Sequence, residues 1–317
     1  GRRGYRSVDL LHRIPARRPA ASMADTPPRL WVGLALVIVS WWVAWFGPAP
    51  LSEYTFFPLW LGYILAVDGL TMRRAGTSLF DRDRLRFASL CLFSIPLWWL
   101  FEFANRYLDN WRYLVPRPYH PVEYALLASL AFSTVIPAIF VTAELLRTFP
   151  LFAPDRRWLR VNPGPAGLVA LAMIGLALFL LSLTFPRYLF PFVWIGLFLL
   201  FDPINTLLGN PSITAQVRVG RWDTVLVLFA AGLICGWFWE MWNVLSMPKW
   251  VYHVPFVGWM KLFEMPILGY GGYLPFALEV FAAWSLLSGA TLGHDREWVR
   301  FMQPYEDAAQ TRRGRDA

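Results

Sequence analysis

Two short segments of the chain place an acid, an amide, a tryptophan and a tyrosine in the same order. The first contains Glu102, Asn105, Trp111 and Tyr113, and the second contains Glu240, Asn243, Trp250 and Tyr252. On a helix, an acid and an amide three residues apart project from one face. Desolvation raises the proton affinity of a carboxyl group, and each well-placed aromatic ring stabilises a nearby cation by about 0.5–2 kcal/mol. The pattern indicates a site that could protonate an apolar molecule and stabilise the cation that forms.

A structural interpretation of the same residues stays open. Polar side chains commonly hydrogen-bond between membrane helices, so each glutamate could be an anchor that bonds its own amide. Tryptophan and tyrosine also concentrate at membrane interfaces in proteins of every function. The residue types therefore allow either catalysis or anchoring.

A further acid follows each Trp-x-Tyr motif, Glu123 in the first segment and Glu264 in the second. It could remove a proton later in a reaction, but a negative charge near a helix N-terminus is also stabilising in its own right. Gly269, Gly271 and Gly272 predict an irregular start to the last apolar segment, because irregular backbone at membrane depth is tolerated where it lines a cavity. We expect a pocket near Glu264.

The composition predicts that these segments lie in a polytopic, all-α transmembrane bundle. Hydrophobic residues make up 57% of the chain and charged residues 16%, and apolar runs close to the length of about 20 residues that spans a bilayer recur along it. We predict eight spans, at 30–46, 54–70, 87–105, 122–146, 167–185, 189–208, 222–244 and 267–288. Asp68 and Asp202 fall near the ends of two spans, where we interpret them as polar terminators or partners of arginines.

The basic residues predict the orientation of these spans. With both termini on one side, 23 of the 29 Lys and Arg residues share that side and six lie opposite. Because Lys and Arg are retained in the cytoplasm, we expect cytoplasmic termini in a bacterial-type inner membrane. The glutamate motifs would then face outward.

The two segments belong to a tandem repeat. Trp60, Gly62 and Asp68 match Trp194, Gly196 and Asp202, each 134 residues later. We divide the chain into a basic tail (1–29), a first four-span repeat (30–160), a second four-span repeat (161–292) and a polar tail (293–317). An even number of spans per repeat predicts parallel repeats. Met23 is a candidate first residue of the native protein, so we leave residues 1–22 out of the fold prediction.

The sequence gives no support for several other site classes. The arginines are spread over short loops, which argues against nucleic acid as a partner. No histidine or cysteine spacing matches a metal site, and no soluble cofactor is expected. Cys91 and Cys235 lie within predicted spans, where we interpret them as apolar filling residues.

The pattern resembles the two-repeat integral-membrane lycopene cyclase domain of bacteria, archaea and fungi. The matching residues are Glu102, Trp111, Tyr113, Pro121 and Glu123 in the first copy and Glu240, Trp250, Tyr252, Glu264 and Pro266 in the second. The resemblance implies that a protonated acid in an aromatic pocket adds a proton to an isoprenoid double bond, and that another carboxylate removes one. Glu102, Glu240, Glu123 and Glu264 would be the catalytic acids, and the Asn, Trp and Tyr residues of each motif would bind substrate.

Three functions follow as hypotheses. The first is an enzyme that protonates or cyclises an isoprenoid or another lipid. The second is a transporter or proton-coupled carrier that uses the same acids as relays. The third is a non-catalytic subunit that binds a pigment or quinone within a membrane complex. Membrane lipids, an isoprenoid-like ligand, complex subunits or a second copy of the chain are the expected partners.

Overall fold

The computed structural model describes residues 26–152, 157–293 and 298–303, most of which are helical. The longer helices are α1 (Pro28–Phe46), α2 (Phe56–Ala75), α4 (Arg84–Leu108), α5 (Pro121–Phe132), α6 (Val135–Leu146), α7 (Pro165–Thr184), α9 (Phe192–Leu208), α11 (Asp223–Asn243) and α12 (Tyr273–Thr291). The short helices are α3 (Leu79–Arg82), α8 (Pro186–Leu189) and α10 (Ile213–Arg218). The strands are β1 (Trp111–Leu114), β2 (Lys249–Tyr252), β3 (Lys261–Leu262) and β4 (Met265–Pro266), and 3-10 turns cover Leu51–Tyr54, Pro150–Phe152, Ile267–Gly272 and Arg300–Met302.

Six helical segments of the described chain are long and apolar enough to cross a membrane. They cover Pro28–Phe46, Arg84–Leu108, Pro121–Leu146, Pro165–Thr184, Asp223–Asn243 and Ile267–Thr291. Two of the eight predicted spans fall outside this set. Helix α9 is apolar but has 17 residues, and α2 carries Asp68, Arg73 and Arg74 among its 20. The multi-pass helical character agrees with the composition, and the count of eight stays a prediction.

The span predicted at 122–146 is interrupted, since α5 and α6 are separate helices. Pro137 has no backbone N–H, so the helical hydrogen bond four residues back cannot form there. Ser94 of α4 bridges the neighbouring pair of backbone groups, because its hydroxyl donates to the carbonyl of Phe132 and accepts from the N–H of Ile136 at 3.1 Å. These two groups at the interruption are therefore satisfied inside the protein.

Glycines bring α1 against α2, and α7 against α9, at backbone distance. A Cβ atom on Gly33 would lie 2.6 Å from the carbonyl oxygen of Gly62. A Cβ atom on Gly175 would lie 2.6 Å from the carbonyl oxygen of Gly196. No larger side chain fits at either contact without separating the helices, which gives the match between Gly62 and Gly196 a physical reason.

Asp68 and Asp202 connect the ends of α2 and α9 to the short helices that follow. Asp68 accepts from the N–H of Phe80 at 3.3 Å and from Arg29 at 2.9 Å. Asp202 accepts from the N–H of Thr214 at 2.8 Å and from its hydroxyl at 2.6 Å. These contacts agree with polar termination, and the arginine partner is present at Asp68.

The predicted polar tail contains a packed segment at residues 298–303. Glu144 of α6 accepts from the backbone N–H groups of Arg300 at 2.7 Å and Phe301 at 3.1 Å. It also forms an ion pair with Arg82 at 2.8 Å, and the Phe301 ring is fully buried. This segment therefore belongs to the folded bundle.

Candidate functional site

The two Trp-x-Tyr motifs form a single antiparallel ribbon, β1 paired with β2. Trp111 lies opposite Tyr252, and Tyr113 lies opposite Trp250. Residues two apart on a strand share a face, and directly opposite residues share it too. All four aromatic side chains therefore lie on one face of the ribbon, whereas the alternate residue Arg112 is exposed.

The two asparagines attach the edges of this ribbon to α4 and α11. Asn243 donates to the carbonyl of Trp250 at 2.7 Å and accepts from its N–H at 2.9 Å. Asn105 donates to the carbonyl of Trp111 at 2.8 Å and accepts from its N–H at 3.3 Å. Asn105 also accepts from the N–H of Asn110 at 3.0 Å. Each amide thus satisfies backbone groups of a strand and does not bond the glutamate of its own helix, contrary to the hydrogen bond expected from the spacing.

Glu102 of α4 lies beneath the ribbon and is half-buried. Its Oε1 accepts three hydrogen bonds, from Tyr113 Oη at 2.7 Å, Trp98 Nε1 at 3.1 Å and Trp111 Nε1 at 3.2 Å. Burial, together with the nearby Glu102 charge, raises the pKa of Tyr113 well above the usual tyrosine value. The Tyr113 hydroxyl therefore keeps its proton and is the donor.

Glu240 of α11 is fully buried and has a related set of partners. Its Oε1 accepts from Tyr252 Oη at 2.7 Å and from Tyr273 Oη at 2.7 Å, whereas Oε2 is buried and has no hydrogen-bond partner among the described residues. Burial raises the pKa of Tyr252 well above the usual tyrosine value, so this hydroxyl is also a donor. A proton on Oε2 would therefore have no hydrogen-bond acceptor among the described residues.

Tyr273 takes the place in the second segment that Trp98 has in the first. Trp98 precedes Glu102 by one helical turn, and the equivalent position before Glu240 is Gly236. A Cβ atom on Gly236 would overlap the ring of Tyr273. The glycine therefore admits a tyrosine from α12, which supplies the second donor to Glu240.

Aromatic rings in contact connect the two acids. The Phe276 ring lies 6.0 Å from Trp98 and 6.4 Å from Tyr273, measured between centroids. It also lies 5.4 Å from Trp194 and 6.2 Å from Trp239. The path from Glu102 to Glu240 thus runs through Trp98, Phe276 and Tyr273, in an apolar interior covered by the ribbon.

The residue before each glutamate packs against a tryptophan from the other half of the chain. Phe101 lies 4.5 Å from Trp194, and Trp239 lies 4.8 Å from Trp60. Helices α2 and α9 therefore position the acid helices across the molecule. This contact explains why Trp60 and Trp194 match in the sequence.

The other two predicted acids have basic partners. Glu123, in the first turn of α5, forms an ion pair with Arg117 at 2.6 Å. Glu264 forms an ion pair with Lys249 at 2.5 Å. In this structure both carboxylates are engaged in charge pairs outside the aromatic interior.

The glycine cluster before α12 forms a 3-10 turn, Ile267–Gly272, as the irregular start predicted there requires. The structure has a small cleft elsewhere, and Glu264 is not among its lining residues. The cleft is lined by Ser52, Glu53, Thr55, Phe56, Leu59, Trp242, Asn243, Ser246, Pro248 and Trp250. This cleft lies on the Asn243 edge of the ribbon, and the pocket expected near Glu264 stays a prediction.

Three residues of the interior escaped the sequence reasoning. Tyr273 and Phe276 carry no motif, although the exchange of Trp98 for Gly236 between the copies was a signal that something else fills that space. Glu279 of α12 is fully buried, and neither carboxyl oxygen has a hydrogen-bond partner within residues 26–152, 157–293 and 298–303. In the described part of the chain no group of three or more His, Cys, Asp or Glu residues could hold a metal ion, and Cys91 and Cys235 are free.

Comparison with known protein families, with curated proteins and with solved structures finds no match for this chain.

Proposed function

We propose that the chain is an integral membrane enzyme that uses a buried carboxylic acid to protonate a double bond of an isoprenoid or similar apolar lipid. The observation that carries the proposal is Glu240, whose Oε1 is held by two tyrosine hydroxyls while Oε2 is unpartnered among aromatic rings. A general acid needs a proton that is free to reach its substrate. Oε2 is the atom that meets this requirement.

The architecture of the proposal is a duplicated unit, with two parallel four-span repeats and both termini in the cytoplasm. The register of the ribbon supports it, because Trp111 opposite Tyr252 becomes Trp250 opposite Tyr113 when the copies are exchanged. A two-fold axis through the ribbon, along the membrane normal, has this property. The glycine contacts of α1 with α2 and of α7 with α9 agree with the same axis.

The proposed reaction moves one proton onto the substrate and one off it. The Oε2–H bond of Glu240 breaks as a C–H bond forms on one alkene carbon, which leaves a carbocation on its neighbour. The Tyr252 and Tyr273 hydroxyls stabilise the new carboxylate, and the aromatic rings stabilise the cation. Loss of a proton from an adjacent carbon to Glu102 restores a double bond, so the net change is an isomerisation. If a second double bond of the substrate first attacks the cation, a C–C bond forms, and loss of the proton then completes a ring closure.

Binding requires the aromatic interior to open. Strands β1 and β2 lie over that interior and are held at their edges by side chains of Asn105 and Asn243. A displacement of the ribbon would expose both glutamates together. We therefore propose that an apolar ligand enters beneath the ribbon, with the four Trp and Tyr residues of the motifs as its binding surface.

The test is lipid and pigment profiling of cells that express the chain, compared with cells that lack the gene. We expect the native chain to add or remove an isoprenoid-type species in the profile. Glu240→Gln should not cause this change, because the substitution keeps the Oε1 acceptor but removes the acidic proton. Asp109→Asn, at an exposed ion pair with Arg112, is the matched control and should leave the profile unchanged. An identical lipid profile for native and Glu240→Gln chains, both folded in the membrane, would refute the proposed enzymatic function.

A proton-coupled carrier is the second candidate. The break between α5 and α6 and the 3-10 turn before α12 favour it, because interrupted membrane helices are common at transport sites. A carrier predicts substrate-dependent proton flux into proteoliposomes, and the enzyme predicts none. The flux measurement separates the two candidates.

A further inference from the structure

Glu279 is an acid at the centre of a candidate membrane span. The span Ile267–Thr291 has Glu279 as its middle residue, with 12 residues on either side. The side chain is fully buried, and both Oε1 and Oε2 lack hydrogen-bond partners in the part of the chain that the structure describes. No motif of the sequence and no step of the proposed reaction uses this carboxyl group.

The helices that pack on α12 are α4, α6, α9 and α11, and their acids are engaged elsewhere. Glu102 and Glu240 bond the tyrosines described above. Glu144 bonds residues 300 and 301, and Asp202 bonds Thr214. Asp223 at the start of α11 forms ion pairs with Arg147 and Arg221.

No cation on these helices reaches the middle of the span. The basic residues of α4 are Arg84 and Arg86 in its first turn and Arg106 in its last turn, and α6, α9 and α11 have none. Of the other titratable groups, the Cys235 thiol contacts Thr142, and Tyr273 donates to Glu240. Glu279 thus has neither a counter-charge nor a donor in the described structure.

A carboxylate without a partner is far more costly to bury than a neutral polar group. From this geometry we infer that Glu279 is a second proton-binding site, which holds a neutral carboxylic acid at the centre of the membrane. The ligand of this site is the proton itself. The inference does not depend on the proposed reaction, because Glu279 and Glu240 lie on different helices with different partners.

The position of Glu279 on α12 separates it from Glu240. It lies six residues from Tyr273 on α12, about 9 Å along a helix that rises 1.5 Å per residue. Phe276 lies between them, with its ring against Tyr273. A proton on Glu279 therefore cannot reach Glu240 in this conformation, and transfer requires movement of Phe276 or entry of water.

The test is infrared spectroscopy of the purified chain in lipid nanodiscs at neutral pH. A protonated carboxyl group gives a C=O stretching band that is distinct from carboxylate bands and shifts when hydrogen is exchanged for deuterium. We expect the native spectrum minus the Glu279→Gln spectrum to contain one such band. The Glu240→Gln spectrum should retain that band, so the band should cancel in the native minus Glu240→Gln difference, which separates this site from the proposed catalytic acid.

Folding of the variants provides the second readout. A neutral, unpartnered acid can be replaced by glutamine or methionine of similar size, so Glu279→Gln and Glu279→Met should unfold at the native temperature or above. Folded variants that lose no protonated-carboxyl band would overturn the inference. Strong destabilisation by both substitutions would also overturn it, because it would show that an ionised Glu279 has a partner that the substitution leaves unpaired.

Discussion

Removal of the Asn243 side chain should detach one edge of the ribbon from the bundle. Asn243 is buried and pairs with both the N–H and the C=O of Trp250. The backbone of a strand edge has no other partner on that side, so Asn243→Ala leaves two polar groups unpaired. At about 1–3 kcal/mol for each unpaired buried group, we expect a loss of about 2–6 kcal/mol in the free energy of unfolding.

The assay is unfolding by titration with SDS in mixed micelles, with helicity as the signal. Asn105→Ala is the companion variant, since Asn105 makes the same two bonds to Trp111 on the other edge. Arg112→Ala is the control, because Arg112 is exposed on the outer face of the same ribbon and its ion pair with Asp109 is exposed. Exposed ion pairs contribute about 0–1 kcal/mol.

A loss for Asn243→Ala that is no larger than that of Arg112→Ala would refute the assignment of the amide as an edge partner of the strand. A loss confined to one of the two asparagines would refute the equivalence of the edges. A further consequence concerns Glu240, since a displaced β2 withdraws the Tyr252 hydroxyl from Oε1. Asn243→Ala should therefore also reduce any activity that depends on Glu240.

Three other predictions follow from single contacts. Gly236→Ala should displace Tyr273 from Glu240 and lower activity as much as Tyr273→Phe does, measured by the same lipid profile; activity at the native level with a folded protein would contradict this. Gly175→Val should prevent close packing of α7 and α9 and reduce folded protein severalfold by size-exclusion chromatography, whereas Gly164→Val, with open space around it, should not. Glu144→Gln should weaken the hold on residues 298–303 and speed their removal by carboxypeptidase; an unchanged rate would show that the Glu144 ion pair and backbone bonds do not retain this segment.

The sequence was sufficient to identify a multi-pass helical protein because the bilayer imposes a length and an apolarity that composition reports directly. It was less informative about where helices end. Pro137 interrupts a run that hydropathy alone joins, and Ser94 on another helix bonds the backbone of Phe132 and Ile136 at the interruption. The 3-10 turn before α12 was predictable because its glycines are local signals.

The site shows the same division between local and tertiary information. Spacing predicted that Glu102 and Asn105, and likewise Glu240 and Asn243, share a helix face, and α4 and α11 contain them. Spacing also suggested a hydrogen bond between each acid and its amide. In the structure the amides instead bond the backbone of the strands, and the acids accept hydrogen bonds from aromatic side chains. The difference arises because β1 and β2, about 140 residues apart, pair with each other, and no local pattern reports a long-range pairing.

By itself the sequence determined the class of the protein, the recurrence of its motifs and the residue types that its interior contains. Only the tertiary structure decided which polar atoms meet. It brought the Tyr273 hydroxyl to Glu240, because Gly236 leaves room for the tyrosine ring. It left Glu279 without a hydrogen-bond partner in the described structure. Hydropathy and periodicity depend on neighbours within a few turns of helix, whereas the hydrogen bonding of a buried carboxyl group depends on side chains that other helices bring to it.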